Sequence, residues 1–185
     1  MIHVKFPKHK KPMIMRKVLL TLLSFSASAI VFAQTATYQY NRGSYLAASG
    51  SFAEAIPYYD EAIKLNPGME EAWFSRGEAK YRLADYRGAI DDFSKALALN
   101  PKDKDAFFFR AACNGKLADL SSSIIDYSQA IAISPDFAQA YVNRGNAKFK
   151  LNDKEGACQD WEKAVQFGLP NESNISFCKA MMASR

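Results

Sequence analysis

The interval between four arginines constrains this chain more than any other feature. Arg42, Arg76, Arg110 and Arg144 follow one another every 34 residues, and each precedes a small residue, Gly43, Gly77, Ala111 and Gly145. The same interval separates Pro67, Pro101 and Pro135, then Ala62, Ala96, Ala130 and Ala164, then the aromatics Tyr59, Phe93, Tyr127 and Trp161. A unit this short cannot bury its own apolar face, so neighbours must stack and each must cover the next. The pattern therefore predicts an open solenoid in place of a closed globule.

Within a unit the apolar residues recur with helical spacing. Glu70 to Leu83 reads as one helix, a polar turn follows, and Tyr86 to Leu99 reads as a second with Ala89, Ile90, Phe93, Ala96 and Leu97 on one face. Asn100-Pro101 ends it, because proline cannot continue a helix and biases the preceding residue toward extended backbone. The small residues mark close approach of helix axes. These features frame units at 36–69, 70–103, 104–137 and 138–170, within a repeat region 34–170. After them Gly168 stops a helix, and Asn171 caps a last one over Glu172 to Met182, within a terminal segment 171–185. Ile175, Cys178 and Met182 form its apolar stripe, with Phe177 and Met181 off it.

The units resemble tetratricopeptide repeats. In the second unit Trp73, Gly77, Ala89, Phe93, Ala96 and Pro101 stand at the family's signature positions, and the likeness extends over nearly the whole chain after residue 35. The third unit departs most, with Ala111 for glycine and Ser123 for alanine. The resemblance implies an all-α, right-handed superhelical solenoid of helix-turn-helix repeats closed by a C-terminal capping helix. Every unit departs from the family at its seventh position, where an arginine replaces the common leucine. An arginine there must lay its stem on apolar surface and find a partner for its head. Asp92, Asp126 and Asp160 share the 34-residue interval, so the expected structural ion pairs are Arg76 with Asp92, Arg110 with Asp126 and Arg144 with Asp160. The rival reading is an anion-binding ladder.

Residues 1–33 have a different character. They hold six of the 24 cations, both histidines and no acid, so 18 cations remain against all 19 acids in the rest of the chain. A basic segment, the apolar run Val18 to Phe32 and the small residue Ala33 make the pattern of a signal peptide cut after Ala33, with Met1, Met13 or Met15 as the start. The expectation is a periplasmic or secreted protein, with membrane attachment only through this segment if it stays uncleaved. The net charge of +5 thus belongs to the leader, and the near-neutral body lacks the basic field that nucleic-acid binding draws on.

Three cysteines remain in what is then an oxidising compartment. Cys113 is expected as a buried free thiol. Cys158 and Cys178 lie in the last repeat helix and the capping helix, and terminal units of this form resemble those of secreted bacterial repeat proteins, which implies a disulfide between them. The alternative is that both are small buried hydrophobes. The body has no histidine, which removes the usual general base, the Ser-His-Asp and Cys-His arrangements and the common zinc sites. No phosphate-cradling glycine loop is present, so neither enzyme, cofactor nor metal is expected.

What the resemblance leaves is the concave groove lined by the first helix of each unit. It implies a floor of Tyr40, Phe74, Phe108 and Val142, extended by Tyr81 and Phe149. One edge is cationic, with Arg82, Lys116 and Lys150, and the other acidic, with Glu71 and Asp105. Glu78 lies in the groove too, and Asn146, with Asn41 and Asn143, is suited to hold a peptide backbone. The lysines by which chaperone adaptors of this family grip a terminal carboxylate are absent from the matching positions. The expected function is a non-catalytic scaffold that binds an extended or helical segment of a protein partner. In the bland reading the aromatics only close gaps between units. The alternative function is a structural solenoid, a homo-oligomer joined through its terminal faces by Phe177 and Met181.

Overall fold

A computed structural model describes residues 34–170 and 172–183. The expected signal segment 1–33 and the proposed cap Asn171 lie outside those residues. Helix α1 covers 34–48, and the rest follow as α2 (Phe52–Leu65), α3 (Glu70–Arg82), α4 (Tyr86–Leu99), α5 (Lys104–Lys116), α6 (Leu120–Ile133), α7 (Ala138–Lys150), α8 (Lys154–Gln166) and α9 (Glu172–Ala183). No strand occurs among the described residues. From α2 onward each helix touches its neighbours in the chain, α1 packs Tyr40 and Leu46 on the Ala55 and Tyr59 cluster of α2, and α3, α5 and α7 also touch in succession, which is the contact pattern of an all-α solenoid.

The period reaches the turns and caps. Asp85, Asp119 and Asp153 cap α4, α6 and α8, each carboxylate accepting the backbone N–H three residues on. The turn inside each unit passes through the left-handed region at Gly50, Ala84, Ala118 and Asn152, with φ of 83°, 63°, 64° and 67°. At Gly145 a Cβ would lie 2.7 Å from the Trp161 indole nitrogen, so close helix approach requires glycine there. In the third unit Ala111 occupies the matching place and is fully buried beside Tyr127.

The arginine ladder joins these parts. In the middle of the stack, Arg110 Nε and one terminal nitrogen donate to both oxygens of Asp126 at 2.8 and 2.7 Å, and its other terminal nitrogen donates to Ser94 of the preceding unit. Arg76 does the same with Asp92 and Asp60, and Arg144 with Asp160 and Ser128. Each guanidinium also lies over the ring three residues before it, Trp73, Phe107 or Tyr141. Lys80 and Lys148 reach the same aspartates at 2.8 and 2.9 Å, and Asn114 takes that place in the third unit. Arg42 stands apart: Tyr58 occupies the aspartate register of the first unit, and Arg42 is exposed.

At the far end Gly168 turns the chain after α8 with φ of 84°, and its N–H donates to Val165. Helix α9 is joined to α8 by a Cys158–Cys178 disulfide. The stripe that seats it is Ile175, Cys178 and Met181, while Met182 is 53% exposed, which corrects the expectation for Met182. The contact follows the ridge of residues three apart along the helix, Ile175, Cys178 and Met181, which passes Met182 by. Phe177, 37% exposed, meets the Phe149 ring edge to face at 5.3 Å. Cys113 is a buried free thiol, and burial pushes its pKa up to about 12.

Two predictions follow from the seams. Asp126 is 7% exposed at its side chain, so Asp126→Ala strands the Arg110 head and lowers stability by about 3–5 kcal/mol in urea unfolding. Exposed Asp91→Ala changes it by less than about 0.5 kcal/mol; equal effects would contradict the ladder's role. At the seam of the second and third units, burial of Glu70 and then the nearby Asp103 carboxylate raise the Glu70 pKa to about 7. A raised carboxyl pKa means the folded chain holds the proton more tightly, so this contribution is full below the unfolded value near 4.5 and is lost as pH rises through about 7. Glu70→Gln is expected to flatten the Tm profile over that window, and an unchanged slope would refute the assignment.

Candidate peptide-binding groove

Each expected floor aromatic is occupied by the stack itself. Tyr40 packs on Tyr59 at 6.0 Å, Phe74 contacts Phe93 and Phe109, and Phe108 contacts Tyr127, Phe109 and Phe137. Tyr81 meets Tyr86 and Phe109 edge-on. These rings are half-buried, so they close gaps between neighbouring units and leave only part of their surface to the groove. Phe109 is the residue the sequence reading missed. It stands at the centre of the cluster, stacked on Phe93 at an interplanar angle of 15°, and its signal was the run Phe107-Phe108-Phe109, three successive rings that must face three directions.

The groove opens as two concavities of about 340 Å³ each. The N-terminal one is lined by Ser44, Phe52, Tyr59, Ser75, Glu78 and Arg82 among others, and there Arg82 donates to Glu78 at 3.3 Å along α3. The two groove charges at this end therefore offset one another. The acidic edge is also partly neutralised, because Asp105 pairs with Lys104 at 3.2 Å, whereas Glu71 is exposed.

The second concavity is different in charge. Tyr81, Lys116, Ser123, Tyr127, Asn143, Asn146 and Lys150 line it, with no carboxylate. Lys116 and Lys150 are exposed and form no ion pair among the described residues. The two asparagines are oriented from behind: Asn143 Oδ1 accepts from Gln139 at 3.1 Å, and Asn146 Oδ1 accepts from the Trp161 indole N–H at 3.1 Å. Burial raises the Tyr127 pKa, which keeps its hydroxyl neutral at the floor. Two ammonium groups and amide donors above a neutral floor suit an anionic or carbonyl-rich ligand.

No group of histidine, cysteine, aspartate and glutamate able to hold a metal occurs among the described residues. Among the same residues no helix is long and apolar enough to cross a membrane.

Comparison with known proteins agrees with this architecture. Three family models described as tetratricopeptide or TPR repeats match, one over residues 24–70 and 40–103, one over 119–152 and one over 138–167. No curated protein matches the chain. Among solved structures, the crystal structure of MamA is similar at 23% identity and a TM-score of 0.71, over 72% of this chain and 78% of that one. The first TPR domain of Spaghetti (RPAP3), bound to the HSP90 peptide SRMEEVD, is similar at 24% identity and a TM-score of 0.63, over 65% and 95%. The TPR domain of Arabidopsis OM64 gives 21% and 0.63, over 64% and 98%.

The placement of the groove side chains separates stability from binding. Phe74→Ala is expected to cost about 3–5 kcal/mol, since it empties a ring site between two units, while Lys116→Ala stays within about 0.5 kcal/mol. Thermal unfolding followed by circular dichroism measures both, and a silent Phe74→Ala would return that ring to the groove floor.

Proposed function

The chain belongs to the tetratricopeptide repeat family, and from that premise we propose that it is a non-catalytic protein-interaction scaffold whose groove holds a segment of a partner protein. The observation that carries this reading is the carboxylate-free concavity with two lysines, Lys116 and Lys150, that form no ion pair among the described residues. A partner segment with acidic side chains meets complementary charge there, and Asn143 and Asn146 supply hydrogen bonds to its backbone. Tyr81 adds apolar contact, and Phe149, 40% exposed, does so in the adjoining notch that shares Asn146 and Lys150. Arg76, Arg110 and Arg144 take no part, because each is already bonded to an aspartate.

The same proposal puts the working chain in the periplasm or outside the cell. The basic and apolar segment before Gln34 supports it, and so does a disulfide, a bond that persists in oxidising compartments. A second reading, self-association through the terminal faces, is favoured by Val165 and Phe167 at the end of α8, which are 43% and 37% exposed. Light scattering over a range of concentrations decides it, since a monomer throughout removes this reading.

The test of the groove is a pull-down from envelope extract with the purified chain and its Lys116→Glu/Lys150→Glu variant. Partners retained by the native chain are expected to be lost by the variant, with helicity unchanged. Identical partners in both would contradict the proposal.

A further inference from the structure

Where the groove meets the capping helix, a notch of about 410 Å³ lies between Asn146, Phe149, Lys150, Trp161, Asn174 and Phe177. Its walls are three rings from three helices. Phe149 meets Phe177 at 5.3 Å with the planes at 90°, and meets Trp161 at 5.6 Å with the planes at 44°. Trp161 is buried, whereas Phe149 and Phe177 are 40% and 37% exposed, so solvent still reaches aromatic surface inside the notch. Asn146 uses its side-chain oxygen to accept from Trp161, which leaves its amide N–H groups as donors. Asn146 and Lys150 also line the carboxylate-free concavity, so notch and concavity are continuous.

We propose that this notch receives one aromatic side chain of a partner segment that carries carboxylates beside that ring, and that the notch exists only while the Cys158–Cys178 disulfide holds α9. The proposal rests on the groove reading above and names the anchor that reading leaves open. A fourth ring meets the exposed parts of Phe149 and Phe177, whose perpendicular planes offer it both a face and an edge, with buried Trp161 behind them. The Lys150 ammonium adds attraction to a ring that an aliphatic anchor would not receive. Carboxylates next to the ring then reach Lys150 and Lys116 along the same line of the groove. Dependence on the disulfide follows from how α9 is seated. Cys178 is the buried residue of that helix, with Ile175 and Met181 packed beside it, and its disulfide is the covalent tie that keeps Phe177 opposite Phe149.

Fluorescence anisotropy on the purified chain tests this with three labelled peptides: Asp-Glu-Phe-Glu-Asp, the same peptide with alanine for phenylalanine, and Lys-Lys-Phe-Lys-Lys. The acidic phenylalanine peptide is expected to bind about tenfold more tightly than either of the others. A loss of about the same size is expected for Phe177→Ala and for Cys158→Ser/Cys178→Ser, with Phe177→Leu intermediate. Circular dichroism checks the fold of each variant, and mass spectrometry without reduction checks that Phe177→Ala keeps its disulfide. Equal binding of the phenylalanine and alanine peptides, lost on Lys116→Glu, overturns the notch and leaves the groove reading standing. Equal affinity for the lysine peptide overturns the acidic flank, and no binding of any peptide overturns the notch, the groove then being judged by its own pull-down. A dimer that Phe177→Ala dissolves assigns the notch to a second copy and overturns the proposal as well.

Discussion

The rest of the structure depends on where the guanidinium groups of Arg76, Arg110 and Arg144 go. An arginine between helices is tolerable only if its charge is paired and its remaining N–H groups are satisfied, since a stranded buried charge costs several kcal/mol. In three of the units the head meets both oxygens of an aspartate on the facing helix, reaches back to the preceding unit, and lies over an aromatic ring. One side chain therefore fixes the angle within a unit and the register between units. The fourth, Arg42, begins the stack without an aspartate at the matching place and stays in solvent.

This arrangement also decides what the groove can do. Since Arg76, Arg110 and Arg144 are committed to Asp92, Asp126 and Asp160, and Arg82 to Glu78, Lys116 and Lys150 are the cations of the expected groove edge that form no ion pair among the described residues. Both lie on the C-terminal half of the concave face, beside the aromatic notch closed by α9. Charge and apolar anchor thus converge at one end of the solenoid, whereas the N-terminal concavity is neutral in balance and bounded by Ser44, Ser75 and the Glu78–Arg82 pair.

Much of the architecture could be read from the 34-residue interval, because a repeated unit displays each packing requirement several times. Arg110 and Asp126 are legible together for that reason, and so are the helix-ending prolines. The acceptors Asp60, Ser94 and Ser128 obey the same interval, yet they change residue type, and a reading that follows identity passes over them. Lys80, Asn114 and Lys148 escaped for the same reason. Side-chain direction was less legible still. Phe74 and Phe108 sit at groove positions, but their rings turn toward Phe93, Phe109 and Tyr127, and only three-dimensional packing of the Phe107-Phe108-Phe109 run settles which ring faces where. The end of the stack fell outside the period altogether, so Met181 replaced Met182 on the capping stripe and Phe177 joined the groove.

Under the proposed function the ladder holds the solenoid while the lysine face of α5 and α7 is the surface open to a partner. Amide and side-chain NMR shifts of the chain, recorded while an acidic aromatic peptide is titrated in, address both halves at once. The account predicts changes at Lys116, Asn143, Asn146 and Lys150, with the guanidinium signals of Arg76, Arg110 and Arg144 unmoved. Shifts centred on those arginines, with the lysine face silent, would contradict it.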